Sequence, residues 1–343
     1  MKKIKVLVVD DSLVFRQLLV TNLNKDPAIE VVAVAGDAFE ARDLILEHKP
    51  DVMTLDIELP RMSGLEFLRK LMPQYPMPVV VISSLSDKVF DALHAGAVDF
   101  VAKPQVSDKK QLDHFLTNEL PLKVKIASTA SLSNIKKTVA VNQPGSPVAG
   151  SVSSEKIIAI GASTGGTEAI ASVIQDFGTD IPGVVIVQHM PPGFTDMYAK
   201  RLNERFRVNV REAKNGDRVE KGTVLIAPGG DAHMRLVKVG GHYQVEIKRG
   251  EKVNGHCPSV EVLFDSVAKV AGSNAIGIIL TGMGGDGAKG LLAMKNAGAD
   301  TIGQDESTCV VYGMPKVAYD IGAVMYQEKL ENIARKTYAL LRK

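Results

Sequence analysis

The chain has 343 residues, which suggests about two domains, and its 45% hydrophobic content is enough for two packed cores. A net charge of +2, no tryptophan and no stripe of interleaved basic and aromatic residues exclude nucleic acid as the main partner. The apolar run between Lys5 and Asp10 is too short for a signal peptide and no run reaches the about 18 residues of a membrane span, so a cytoplasmic protein with no direct membrane insertion is expected.

From the start, strand-like runs at Ile4 to Val9, Ile29 to Ala35, Val52 to Leu55, Val79 to Ile82 and Phe100 to Ala102 alternate with helical patterns. Five βα units predict a parallel sheet with helices on both faces, in the flavodoxin-like order. The residues that end these strands are polar. Asp10 and Asp11 follow the first, Asp56 ends the third, Ser83 and Ser84 the fourth, and Lys103-Pro104 the fifth. Three carboxylates, a hydroxyl and a lysine at one edge form a donor set for Mg²⁺ and a phosphoryl group, since Mg²⁺ takes carboxylate, water and phosphate oxygens. Any one of them could serve as a helix cap, Asp11-Ser12 in particular, but capping does not explain the whole set.

Val8-Val9-Asp10-Asp11-Ser12, the run Asp51 to Asp56 with Pro60 and Gly64, Ser83-Ser84, and Gly96-Ala97 to Lys103-Pro104 resemble a two-component receiver domain over residues 1–121. The resemblance implies Asp56 as phosphoryl acceptor, Mg²⁺ at Asp10, Asp11 and Asp56, Ser83 as the switch hydroxyl and Lys103 as a phosphoryl contact. Phe100 stands where receivers usually carry a switch aromatic, and equally where the fifth strand needs a core aromatic. Leu59 departs from the methionine common at its position.

Residues 122–154 lose periodicity and are rich in Ser, Thr, Ala, Val and Asn, with Gln143-Pro144-Gly145-Ser146-Pro147 near their centre. A stretch this long without an element reads as a linker between domains.

Beyond it, over residues 155–343, strands are expected at Lys156 to Gly161, Val184 to Gln188, Val208 to Ala213, Thr223 to Ala227, Ala275 to Thr281 and Thr301 to Gly303. Met234 to Val239 and His242 to Lys248 flank Gly240-Gly241, a turn pair suited to positive φ. This predicts a doubly wound, mostly parallel α/β domain. Gly161-Ala162-Ser163-Thr164-Gly165 is a G-x-S-x-G between an apolar run and a helical stretch, the setting of a nucleophile elbow. Val184 to Val187 leads into Gln188-His189-Met190, and Ala275 to Leu280 into Thr281 to Gly287. If these strands are parallel, Ser163, His189 and Asp286 leave one carboxyl edge as nucleophile, base and orienter. The order Ser, His, Asp is not that of the common α/β-hydrolase fold. Oxyanion donors are sought in the N–H groups after Ser163, at Thr164, and in the Gly282 to Gly285 loop, at Met283. The Thr164 side chain would orient the serine or base, or cap the next helix, and the cap is favoured.

Together the halves resemble the CheB family of chemotaxis response-regulator methylesterases. Beyond the receiver the likeness rests on Gly161 to Gly166, Gln188 to Phe194, Ile226 to Gly230 with His233, Pro258-Ser259-Val260, Thr281 to Gly287, and Tyr312-Gly313-Met314-Pro315. It implies hydrolysis of glutamate γ-methyl esters on chemoreceptor cytoplasmic helices, often with glutamine deamidation. It also implies Asp56 phosphorylation by the chemotaxis histidine kinase, no cofactor for ester hydrolysis, and a monomer.

His233 could line a substrate cleft, though a loop histidine is the commoner reading. His256-Cys257 offers a thiol with a base, but adjacent side chains diverge and nothing nearby orients them. Cys257 and Cys309 lack zinc-site spacing and read as reduced. His48, His94, His114 and His242 read as structural. A different reading makes the glycine-rich loops phosphate cradles of a nucleotide-binding or partner-binding module. Against it, Gly161 to Gly166 lacks the second glycine of G-x-G-x-x-G, and Ala288-Lys289 follows Gly287 where a P-loop needs Lys then Ser or Thr.

Overall fold

The computed structural model describes residues 2–84, 86–105, 107–135 and 156–342. The chain divides into two compact units, Met1–Val139 and Ala140–Lys343.

In the first unit β1 (Ile4–Val9), β2 (Ile29–Ala35), β3 (Val52–Asp56), β4 (Val79–Ser83) and β5 (Asp99–Ala102) form one sheet in the order β2-β1-β3-β4-β5. All its pairings are parallel, as the alternation predicted. β3 and β4 are buried along their whole length, whereas the edge strand β2 is exposed or half-buried at five of its seven positions. Both central strands are buried and read as apolar runs, interrupted in β3 by the buried Thr54. Strand order reverses between β1 and β3, and the first helix (α1, Leu13–Leu23) starts there, with the Ser12 side chain accepting from the Phe15 N–H.

The boundary expected at 122 lies further on. Leu120–Ala127 is a helix that buries Leu120, Pro121, Val124, Ile126 and Ala127, and Ile135 is buried as well. The serines and threonines of this stretch hid its apolar positions. Residues 136–154 of the expected linker lie outside the described residues.

The second unit has a seven-stranded, wholly parallel sheet in the order β14-β13-β12-β6-β7-β9-β8. Its strands are β6 (Ile157–Ala162), β7 (Val184–Gln188), β8 (Asn209–Glu212), β9 (Thr223–Ile226), β12 (Ala275–Ile279), β13 (Asp300–Gln304) and β14 (Tyr326–Glu328). β14 is the strand that sequence did not predict: three residues at an edge, Gln327 exposed and its neighbours half-buried, defined by pairing to β13. The chain builds outward from β6 on one side and returns on the other, so the topological switch lies between β6 and β12.

β10 (Ala232–Val239) and β11 (His242–Arg249) form the expected hairpin, with Gly240 and Gly241 at φ 58° and 85°. A helix, α9 (Val260–Val270), has Leu263, Phe264 and Val267 in one core with Val185 and Leu225 of the sheet and Met234 and Leu236 of the hairpin. Elsewhere in the unit Phe177 meets Tyr338 edge to face, and the Tyr338 hydroxyl accepts from the Gly178 N–H at 2.8 Å. Among the described residues no helix is long and apolar enough to cross a membrane.

Candidate active site

Each unit carries a polar constellation at the carboxyl edge of its sheet. In the first, Asp10 and Asp56 are buried and Asp11 is exposed, and one oxygen of each lies within 4.8 Å of the others. The Ser12 N–H donates to Asp10 Oδ1 and the Glu58 N–H to Asp56 Oδ1, each at 2.9 Å. Lys103 Nζ bridges the opposite oxygens, at 2.7 Å from Asp10 Oδ2 and in contact with Asp56 Oδ2. Burial, with repulsion from Asp56, raises the Asp10 carboxyl to about 6 against the pull of Lys103. Burial works against the Lys103 ammonium, but the two carboxylates outweigh it and hold its pKa above the usual lysine range. Three hard oxygen donors around a small space fit Mg²⁺.

Gly64 is needed here for close approach, since a Cβ on it would come 2.0 Å from the Asp56 carbonyl oxygen. Ser83 is buried at the end of β4, with its hydroxyl donating to Ser84 O at 3.0 Å. Phe100 is buried and meets Phe90 edge to face at 6.5 Å, the arrangement of a core aromatic. The structure thus gathers Asp10, Asp11, Asp56 and Lys103 directly, with Ser83 ending the adjacent strand.

In the second unit β6 and β7 pair with Ala162 opposite Gln188, so Ser163 and His189 are the next residues on chains about 4.8 Å apart. The His189 N–H donates to Ala162 O, and on the other side the Ser163 N–H donates to Thr281 O. The buried Gln188 amide ties both loops, donating to Ser163 O at 2.9 Å and His189 O at 3.2 Å. Gly165 turns the chain into the following helix, α7 (Gly166–Ile174), at φ 75°, with Val310 where a Cβ would be. Gly282 packs on Ser163 itself: a Cβ on the glycine would lie 2.7 Å from that of Ser163.

The His189 side chain is largely buried, and its Nε2 lies 2.9 Å from Asp286 Oδ2. Nδ1 is buried and has no hydrogen-bond partner among the described residues, which leaves it as the ring nitrogen open to a hydroxyl. Asp286 sits against the N-terminus of α9. It accepts from the Val260 N–H at 2.7 Å, the Glu261 N–H at 3.3 Å, the Ser259 hydroxyl at 2.7 Å and the Asn254 amide at 2.9 Å. Burial alone would push this carboxyl up, but His189, Asn254 and Ser259 hold it well below the usual carboxylate range, so it stays ionised. Next to it, burial and repulsion from Asp265 and Asp286 raise Glu261 to about 7, while its carboxyl accepts from the Gly287 N–H.

Of the expected oxyanion donors, the Met283 N–H has no acceptor among the described residues, and its side chain is exposed beside the loop. Thr164 is buried and its carbonyl accepts from the Thr281 hydroxyl at 3.0 Å. The helix cap position falls on Gly165, one residue beyond Thr164. His233 is fully buried, with Nε2 bonded to Glu251 O and Nδ1 accepting from the Ser259 N–H, so it supports the Asp286 cradle and does not line a cleft. Burial also raises the Cys257 thiol, against a thiolate role.

Sequence reasoning gave no role to Asn254, weighed His256 only as a base for Cys257, and counted Ser259 only as part of a motif. The His256 ring stacks on that of His189. The dipeptide Asn254-Gly255 is a turn signal that would have drawn attention to this segment.

Residues 158–337 match the family model described as CheB methylesterase, and residues 6–116 that of the response regulator receiver domain. A protein of Syntrophomonas wolfei subsp. wolfei named protein-glutamate methylesterase/protein-glutamine glutaminase 2 is 60% identical over 341 residues, covering 99% of this chain and 98% of its own. A Syntrophotalea carbinolica protein named protein-glutamate methylesterase/protein-glutamine glutaminase is 53% identical over 348 residues, 99% of this chain and 98% of its own. The crystal structure of the Thermotoga maritima CheB methylesterase catalytic domain superposes with a TM-score of 0.53 at 39% identity, covering 55% of this chain and 98% of that one.

Proposed function

The chain belongs to the CheB methylesterase family, and on that premise we propose that Ser163, His189 and Asp286 hydrolyse glutamate γ-methyl esters under control of an Asp56 phosphoryl switch. The enzyme is a receiver-bearing protein-glutamate methylesterase and protein-glutamine glutaminase. One observation supports the residue assignment: His189 Nε2 is bonded to the buried Asp286 while Nδ1 has no partner among the described residues, in a residue whose backbone N–H donates to the carbonyl of Ala162, next to Ser163.

That tautomer has consequences for each step. With Nε2–H donated to Asp286, the Nδ1 lone pair takes the Ser163 Oγ proton as Oγ bonds to the ester carbonyl carbon. The tetrahedral oxyanion is met by N–H groups, with Met283 the better candidate, and one such donor contributes about 3 kcal/mol. The imidazolium then protonates the departing methoxy oxygen, methanol leaves, and water attacks the acyl-serine by the same base. With a glutamine substrate the leaving group is ammonia. Asp286 need not take the proton, since its cradle of donors keeps it anionic. No cofactor enters this sequence.

In the receiver, Asp10, Asp11 and Asp56 would hold Mg²⁺, which neutralises charge as the phosphoryl group transfers. Lys103 contacts the phosphoryl oxygens, Ser83 is the switch hydroxyl, and the buried Phe100 is retained as a switch aromatic only if it changes environment on phosphorylation. The partners are methylated chemoreceptor helices and the chemotaxis histidine kinase, acting with a monomeric cytoplasmic enzyme. Methanol release from methylated receptor membranes, with and without a small-molecule phosphodonor and Mg²⁺, tests the reading. Release that persists in Ser163→Ala would refute the serine mechanism.

A further inference from the structure

The ring of His256 lies flat on the imidazole of His189, with centroids 3.7 Å apart and planes 9° apart. It is carried there by a tight turn. Val253 and His256 exchange both backbone hydrogen bonds at 3.0 Å, and the two residues between them, Asn254 and Gly255, have φ of 52° and 85°. Positive φ at both central positions is the two-residue hairpin geometry that Asn-Gly favours. From the same turn the Asn254 amide reaches Asp286 Oδ1 at 2.9 Å. Four consecutive residues therefore touch both the base and the carboxylate that orients it.

We propose that the Val253–His256 turn is a clamp on the general base and that His256 is a positioning residue for ester hydrolysis. The proposal rests on the triad reading of Ser163, His189 and Asp286. A histidine's second side-chain torsion is broad, so the single bond from Nε2 to Asp286 leaves the ring free to rock about that bond. Rocking moves Nδ1, the atom that must meet the serine hydroxyl. A flat ring against one face removes this freedom, and Asn254 fixes the carboxylate at the other end of the bond. The stack also screens one face of the imidazole from water. Misplacement of a catalytic group by 1 Å can cost about 10²-fold in rate without altering substrate affinity.

The test compares kcat and KM for methanol release from methylated receptor membranes by the whole chain, as wild type, Ser163→Ala, His256→Ala and His256→Phe, with unfolding midpoints for each. His256→Ala is expected to lower kcat about 10- to 100-fold with KM within about twofold, and His256→Phe, which keeps a flat ring, to recover most of the loss. Should His256→Ala fail to fold, His256→Phe alone decides: a folded phenylalanine variant with kcat lowered tenfold or more overturns the clamp. Wild-type kcat in folded His256→Ala beside an inactive Ser163→Ala overturns the clamp and leaves the triad standing. Methanol release by Ser163→Ala overturns both.

Discussion

At neutral pH a serine hydroxyl is a poor nucleophile, and on the proposed reading it is His189, oriented by Asp286, that changes this for Ser163. Ser163→Ala and His189→Ala are expected to lower kcat by on the order of 10⁴ or more, since triad members act as a unit, with Cys257→Ala remaining active. Methanol release and circular dichroism on the same preparations check this, and survival of Ser163→Ala with loss of Cys257→Ala would reverse the assignment. Asp286 calls for a different variant. Alanine there would leave several buried donors unmatched, each costing about 1–3 kcal/mol, so lost activity would be confounded with lost stability. Asp286→Asn keeps the shape and should lower kcat by disturbing the His189 tautomer. Glu261 offers a pH test. Its folded pKa of about 7 lies above the ordinary glutamate value of 4.5, so the folded state holds the proton more tightly and stability falls as pH rises between these values. Glu261→Gln, which keeps an acceptor for the Gly287 N–H, should therefore raise the unfolding midpoint at pH 8. The gain should fade as pH falls through 7 towards 4.5, and a gain independent of pH would contradict the buried charge.

At the scale of elements, the site is assembled from strand ends and one helix N-terminus. Strands β12, β6 and β7 are neighbours, so their three loops converge, and α9 presents its first N–H groups to Asp286. Two glycines show what each turn must satisfy. Gly241, at the tip of the β10–β11 hairpin, has φ 85° with nothing within 4 Å of a built Cβ. Gly241→Ala should cost only left-handed strain, about 1–2 kcal/mol, with kcat unchanged. Gly165 has φ 75° and also Val310 at 2.6 Å from where a Cβ would lie, two residues from Ser163. Gly165→Ala adds a clash that displaces Ser163, so both the unfolding midpoint and kcat should fall. Chemical denaturation and methanol release on the pair would separate the two effects, and equal behaviour would contradict the distinction.

At the scale of the whole molecule, two compact units carry two chemistries, and the expected coupling is that the receiver restrains the esterase until Asp56 is phosphorylated. A change of about 1.4 kcal/mol in the active-to-inactive balance alters activity tenfold when the active form is rare, within reach of the charge added at Asp56. Labelling by a phosphodonor should require Mg²⁺, stop on chelation, and fail in Asp56→Asn; acid-stable phosphate on Ser83 would argue against a receiver mechanism. A fragment beginning at Ser151 should hydrolyse ester faster than the unphosphorylated whole chain and ignore the phosphodonor. Equal rates would refute the restraint, and a slower fragment would mean that the receiver helps to build the site.

Both sheets, the hairpin and the residues at the strand ends were legible in the sequence, because a strand buried on both faces writes itself as an apolar run and the polar residue that ends it stands out. Asp10, Asp56, Lys103, Ser163 and His189 lie at such ends, and Asp286 lies in the glycine-rich loop that follows β12. What the linear pattern does not carry is contact between distant segments. The stack of His256 on His189 and the bonds from Asn254 and Ser259 to Asp286 join residues 27 to 67 positions apart. The burial of His233, the packing of 122–127 and the short strand β14 likewise exist only through partners elsewhere in the fold. Local periodicity reports which residues face a core; which nitrogen of His189 is bonded and which is left without a partner among the described residues is decided by what the folded chain brings against its ring.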